Sequence, residues 1–283
     1  MKKLGWIGLG NMGLPMAKNL EKAQFPLSVY NRSADKTKSF EDTGVTVAKS
    51  LTELVSNADI IFTMVSDDNA ARAIYEEIGL LDSIEGKIFI DMSTISQELT
   101  ESLAKEMKAK SASFLDAPVA GSTRPATDGT LIIMVGGEEE ILETVMPYLE
   151  KLGKSVKYLG NNGKGIAAKL SINYFVSLLY LGLAEAVLLA EKNGINRSDF
   201  LEIVNESAAG SGATKVKTPL LINEDYAPAF SLSLMLKDVL LAKNNGADYP
   251  LTNALAGAYA GAQKAGYGDD DVIGVIKYLQ EKS

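Results

Sequence analysis

The chain has 283 residues, 46% of them hydrophobic and 23% charged, with a net charge of −8 and neither cysteine nor histidine. The length suits two ordinary domains with cores of their own; the missing residue types exclude disulfides, zinc–thiolate centres, cysteine nucleophiles and histidine bases, leaving proton transfer to Lys, Asp, Glu or Tyr. The acidic balance disfavours nucleic acid and anionic membranes as main partners, and the start, Met1-Lys2-Lys3, leads into a strand rather than a signal segment, so the expected location is cytoplasmic.

Residues 3–7 read as a short buried strand that runs into Gly8-Leu9-Gly10-Asn11-Met12-Gly13. A helical stretch, 14–23, and a second apolar run, 27–30, follow. Strand, glycine turn, helix, strand is the order a dinucleotide needs. The first glycine permits the tight turn, the second lets backbone approach the pyrophosphate, and the third lets helix and strand pack closely. Dinucleotide enzymes that prefer NAD carry Asp or Glu at the end of the second strand. Here Asn31-Arg32-Ser33 stands there, with Lys36 one turn on. No carboxylate repels a 2′-phosphate, Arg32 offers it a planar fork and Ser33 a hydroxyl, so the expected cofactor is NADP.

Further strands are expected at 59–64, 87–91 and 113–116, alternating with helices at 35–42, 51–56, 67–78 and 97–108. That alternation implies a doubly wound parallel sheet. A strand at 131–135, a helix at 139–152 and a last strand at 154–159 extend it. Three glycines among 160–165 mark a boundary, giving a dinucleotide-binding Rossmann-type domain over 1–162 and an all-helical domain over 163–283. The latter opens with a long apolar helix, 166–193, in which Glu185 is the only charge between Lys169 and Glu191. Ser171, Asn173, Ser177 and Glu185 argue against a membrane span. The helix is expected to be buried between domains or subunits, and a homodimer or homotetramer follows. Helices at 197–206, 216–223, 232–245, 250–265 and 270–282 complete the chain, with no strand signal.

Several clusters stand where chemistry is expected. Met64-Val65-Ser66-Asp67-Asp68 and Asp91-Met92-Ser93-Thr94 end strands at the sheet edge where ligands sit in open α/β folds. Asp67 also reads as a helix cap, and the hydroxyls of Ser93 and Thr94 either face a nicotinamide or cap the next helix. The segment from Asp116 to Leu131 is a polar loop in which Gly121, Ser122 and Thr123 can present N–H groups and hydroxyls to a carboxylate. Arg124 within it reads as a surface arginine, with an anion clamp as the alternative. Lys169 and Asn173 are four apart and share a helix face. Without histidine, Lys169 is the best proton donor in the chain; the alternative is a lysine that snorkels from the helix end. Lys237, mid-helix amid apolar residues, is expected to reach the same cleft. Lys215 or Lys217 is a candidate helper for a substrate carboxylate.

Five stretches in order, G-L-G-N-M-G-L-P-M-A-K-N-L, D-M-S-T-I-S, D-A-P-V-A-G-S with A-T-D-G-T-L, G-K-G with Lys169 and Asn173, and F-S-L-S-L-M-L-K-D, resemble the β-hydroxyacid dehydrogenases over essentially the whole chain. These are relatives of 3-hydroxyisobutyrate and 6-phosphogluconate dehydrogenases. The segment P-V-A-G-S-T-R-P-A-T-D-G is most similar to the glyoxylate/succinic semialdehyde reductases, which favour NADPH. The resemblance implies that Lys169 is the catalytic acid/base and Asn173 orients substrate. It also implies that Gly121 and Ser122 hold the substrate carboxylate and that Met64, Val65, Thr94, Phe230 and Lys237 line the cofactor, with Asp238 supporting Lys237. The family loop usually reads P-V-S-G; Ala120 replaces that serine, removes one substrate hydrogen bond and leaves Ser122 and Thr123 to compensate. The expected activity is NADPH-dependent reduction of a small aldehyde or keto acid to the hydroxy acid. The alternatives are oxidation of a 3-hydroxyisobutyrate-type acid and a non-catalytic NADP-binding protein.

Overall fold

The computed structural model describes residues 1–81 and 84–282. The chain forms two compact units, Met1–Lys169 and Leu170–Ser283.

In the first unit, strands β1 (Leu4–Ile7), β2 (Leu27–Tyr30), β3 (Thr46–Val47), β4 (Ile60–Thr63), β5 (Ile88–Asp91) and β6 (Ser113–Asp116) form one parallel sheet in the order β3-β2-β1-β4-β5-β6. The strands are short runs of apolar residues because both faces are covered: β1, β4 and β5 are buried at every position. Helices α1 (Gly13–Lys22), α2 (Leu51–Asn57), α3 (Asp68–Gly79) and α4 (Gln97–Ala109) make the crossovers. Trp6 stacks on Phe62 at 5.4 Å within one core layer, and Tyr75 packs edge-on against Phe89 and Phe114 in the other. The order reverses between β1 and β4, which opens a crevice at the carboxyl ends of those strands.

The expected helix at 35–42 is a 3₁₀ turn, Ala34–Phe40, and β3 is a two-residue strand that too little sequence marks. The segment after β6 does not extend the parallel sheet. It folds as β7 (Val119–Ala120), the short α5 (Thr123–Thr127), β8 (Leu131–Val135), α6 (Glu139–Leu149) and β9 (Gly153–Tyr158). The three strands form a separate mixed sheet, tied to β6 by a bridge between Asp116 and Gly136. The long loop expected at 116–131 is therefore partly ordered by strand pairing.

Helix α7 (Lys164–Lys192) follows, its first residues belonging to the first unit and the rest to the second. By length and composition it could cross a membrane, yet its polar residues have partners in the second unit: the Ser177 hydroxyl donates to Tyr174 O at 2.7 Å, and Tyr259 donates to Ser177 O at 3.0 Å. A third of its most apolar window is buried, while Phe175 and Leu189 are more than half exposed. Helices α8 (Arg197–Glu206), α9 (Gly212–Asn223), α10 (Leu232–Asn244), α11 (Thr252–Ala262) and α12 (Val275–Gln280) complete this unit around a core that includes Leu183, Val187, Leu221, Val239 and Tyr259. α9 begins four residues before the expected 216 because Ser211 and Thr214 form a reciprocal capping box. The stretch 270–282 is not one helix but a 3₁₀ turn, Val272–Gly274, followed by α12.

Candidate active site

The glycine turn sits on the crevice edge. Gly8 has φ +96°, and a Cβ there would meet Met64 O at 2.2 Å, so the turn packs directly on the segment that leaves β4. A Cβ on Gly13 would meet Gly8 O at 2.1 Å, which is the close helix–strand approach the motif requires. Asn31 ties this turn to the end of β2: its Oδ1 accepts the Leu9 N–H at 2.9 Å and its Nδ2 donates to Ser33 O at 2.9 Å. Arg32 and Ser33 are exposed beside it.

These residues fit a dinucleotide. The N-terminus of α1 has no side-chain cap and no acidic residue in its first turn to compete with a bound anion. A Cβ on Gly10 would enter open space, which is the space a pyrophosphate needs above that turn.

Past β4 and β5, the two edge loops are joined. The Ser93 hydroxyl accepts the Val65 N–H at 3.0 Å, and Ser93 N–H donates to Asp91 Oδ1 at 2.9 Å. Ser93 is thus buried and structural; it neither faces outward nor caps a helix. Capping falls to Ser96 for α4 and to Asp67 for α3. Asp68 binds Ser96 through both carboxylate oxygens, at 2.8 and 2.6 Å, and Ser66 donates to Asp67 at 2.7 Å. Met64, Val65 and Thr94 remain half-buried on this rim.

Asp91 and Asp116 stand in segments where the sequence leads one to expect chemistry, but the sequence gives neither residue a role of its own. Both end apolar strand runs, I-F-I-D and S-F-L-D, and that position was the available signal. Asp91 is buried, and burial pushes its carboxyl up to about 7. Asp116 anchors the start of α7: Oδ1 accepts Gly163 N–H at 2.9 Å and Oδ2 accepts Ile166 N–H at 3.0 Å. Burial raises its carboxyl too, against these hydrogen bonds. Lys169 lies three residues past Ile166, on the same helix face, and is half-buried. Asp116 thus fixes the helix that carries Lys169 at the point where the chain enters Ala117–Thr123. In that loop Gly121 has φ +136°, and a Cβ would meet Leu131 Cδ2 at 2.7 Å. Ser122 precedes α5 without capping it, and Thr123 opens that helix. Arg124 is exposed and pairs with Asp128 at 3.6 Å, the surface reading rather than an anion clamp.

In the second unit Asn173 Nδ2 donates to Asp238 Oδ2 at 2.5 Å, and Lys237 Nζ lies 3.0 Å from Asp238 Oδ1. Phe230 is half-buried just before α10. Lys217, expected as a helper for the substrate carboxylate, is corrected: its ammonium is committed to a buried ion pair with Asp271 at 2.6 Å, over the Tyr180 ring. Asp271 also accepts backbone N–H groups of Ala229 and Ile273, so this pair braces the approach to Phe230. Lys215 is exposed.

Residues 3–160 match the model described as the NAD-binding domain of 6-phosphogluconate dehydrogenase, and residues 163–279 match that described as the NAD-binding domain of NADP-dependent 3-hydroxyisobutyrate dehydrogenase. The chain is 36% identical to the mitochondrial 3-hydroxyisobutyrate dehydrogenase of Drosophila melanogaster over 99% of its length and 90% of that protein's. It is 33% identical to glyoxylate/succinic semialdehyde reductase 1 of Arabidopsis thaliana over 99% and 100%. The structure described as Mycobacterium tuberculosis 3-hydroxyisobutyrate dehydrogenase with L-serine has a TM-score of 0.89 and 31% identity, covering 99% of each chain. With a doubly wound domain followed by a helical one, and with these matches along its length, the chain belongs to the β-hydroxyacid dehydrogenase family of NAD(P)-dependent oxidoreductases.

Proposed function

We propose that this protein is an NADPH-dependent reductase of small aldehyde or keto acids of the glyoxylate or succinic semialdehyde type. The observation that carries the cofactor choice is the end of β2. Asn31 braces the turn there, and the exposed neighbours Arg32 and Ser33 offer a guanidinium and a hydroxyl where an NAD enzyme places a carboxylate. The dinucleotide, when bound, supplies the hydride to the carbonyl carbon. Lys169 Nζ then donates the proton to the carbonyl oxygen, and its charge stabilises the negative charge that develops there. Gly121, Ser122 and Thr123 hold the substrate carboxylate. Asn173, its amide oriented by Asp238, aligns the carbonyl. Met64, Val65, Ser66, Thr94, Phe230 and Lys237 line the dinucleotide, and Leu9, Asn11 and Met12 shape its turn.

The test is NADPH consumption across glyoxylate, succinic semialdehyde, methylmalonate semialdehyde and simple aldehydes, repeated with NADH, together with reduction of NADP+ and of NAD+ by 3-hydroxyisobutyrate. A strong preference for one carboxylated aldehyde with NADPH supports the reading; turnover confined to 3-hydroxyisobutyrate with NAD overturns it. That second reading draws on the 36% identity to a 3-hydroxyisobutyrate dehydrogenase. Lys169→Ala should keep NADPH affinity and lose about a hundredfold or more in turnover. Retained turnover would remove Lys169 from the mechanism.

The same proposal includes a homo-oligomer. Phe175 and Leu189 of α7 and Ile203 of α8 are each about 60% exposed, an apolar surface suited to a second copy. Light scattering of the purified protein, and of Phe175→Glu, reads it directly.

A further inference from the structure

Asp91 is the last residue of β5, at the carboxyl edge of the sheet and 2% exposed. Its Oδ1 accepts the Ser93 N–H, and the Ser93 hydroxyl accepts the Val65 N–H. Two hydrogen bonds therefore connect this buried carboxyl to both loops assigned above to the dinucleotide. Its Oδ2 makes no hydrogen bond among the described residues. The Tyr75 hydroxyl, which contacts Thr63 Oγ1 at 3.3 Å, is the polar group packed beside it from α3. Among the described residues, the titratable groups that face Asp91 are Tyr75, raised well above its ordinary value by burial and by Asp91 itself, and Asp116 of β6, whose negative charge further disfavours ionisation of Asp91.

A structural brace would be served equally by asparagine, which presents the same acceptor to Ser93 without the cost of burying an acid. The chain instead places an ionisable group beneath the rim, with the Tyr75 hydroxyl beside its second oxygen. Burial is the main cause that moves this carboxyl up, to about 7.

We propose that Asp91 is a positioning residue whose proton sets the balance between the oxidised and the reduced dinucleotide at the sheet edge. This rests on the reading that the dinucleotide crosses the Met64–Ser66 and Met92–Thr94 loops. The oxidised nicotinamide carries a positive charge and the reduced ring none. An ionised Asp91 attracts the first and leaves the second nearly unaffected; a protonated Asp91 makes no such distinction. Binding of the oxidised form must in turn release the proton, because the coupling is reciprocal.

The test measures dissociation constants for NADP+ and NADPH by fluorescence titration between about pH 5.5 and pH 8.5, and takes their ratio. The ratio cancels the titration of the 2′-phosphate, which both forms carry. In the wild-type protein, affinity for NADP+ should gain at least about threefold relative to NADPH as the pH rises through about 7, and Asp91→Asn should make the ratio flat. A wild-type ratio that is flat, or one whose slope survives in Asp91→Asn, overturns the proposal. A second measurement needs no variant: the carboxyl carbon resonance of Asp91 in isotopically labelled protein should titrate near neutrality, move to a lower midpoint with NADP+ and keep its midpoint with NADPH. Equal midpoints under both, with both bound, overturn it. If NADP(H) fails to bind and NAD(H) binds, the choice of cofactor proposed above falls, and the same ratio taken with NAD+ and NADH still decides the role of Asp91.

Discussion

Asn173 donates its side-chain amide to Asp238 at 2.5 Å, and Asp238 lies 3.0 Å from the ammonium of Lys237 through its other oxygen. One buried carboxylate therefore orients a residue assigned to substrate and another assigned to cofactor. Asp238→Ala should cut turnover by about tenfold to a hundredfold, the cost of a misplaced aligning group. Asp238→Asn, which keeps an acceptor for Asn173 and removes the charge beside Lys237, should restore part of the turnover but not of the NADPH affinity. Steady-state kinetics with direct NADPH titration separate the two.

Asp116 accepts the N–H of Gly163, which precedes α7, and that of Ile166 in its first turn. Asp116→Ala leaves both donors buried without that acceptor. The cost should be about 2–4 kcal/mol of stability, read by urea denaturation, with part of the gain in the native protein already offset by burial of the charge. Turnover should fall more than NADPH affinity, because Lys169 rides on the same helix.

The Lys217–Asp271 pair is almost fully buried. Lys217→Ala abandons a buried carboxylate and should cost about 3–5 kcal/mol. The double variant with Asp271→Ala should recover part of that loss, the signature of a pair whose breakage costs more than its absence. Thermal and urea unfolding of the three variants decide it.

Asp91 makes stability depend on pH in a defined direction. Its folded value, about 7, lies above the ordinary 3.8. The protonated form is favoured by the fold, so the stabilisation it brings is complete below about pH 4 and is lost as the pH rises to about 7, at up to roughly 1.4 kcal/mol per unit. Relative to Asp91→Asn, the wild-type protein should therefore lose stability between these limits and run parallel to it above them. Unfolding curves at several pH values check the sign.

The first half of the fold was legible because its strands are continuous apolar runs between glycine and cap signals. The turn after Ile7 could be assigned from spacing alone, since φ and close approach leave only glycine at Gly8 and Gly13. The segment after Asp116 was not, because β7 pairs through two residues and takes its conformation from β8 rather than from its own pattern. Lys169 and Asn173 stood out as polar residues in an apolar helix. Asp91 and Asp116 did not, since an acid after a strand reads as a cap until its burial is known. Lys217 misled for the same reason: composition places a cation on α9, and only the packing shows that Asp271 holds it.

The brace formed by Asn31 separates the scaffold of the nucleotide turn from the groups proposed to choose the cofactor. In this chain the position that elsewhere discriminates between cofactors is occupied by scaffolding, bonded to Leu9 on one side and Ser33 on the other. An aspartate there would keep the first bond and turn the second into a repulsion between oxygens. In the reading proposed above, discrimination is left to Arg32 and Ser33, whose side chains are exposed. On that reading, surface substitutions at these two positions can shift cofactor preference while the brace and the nucleotide turn stay intact.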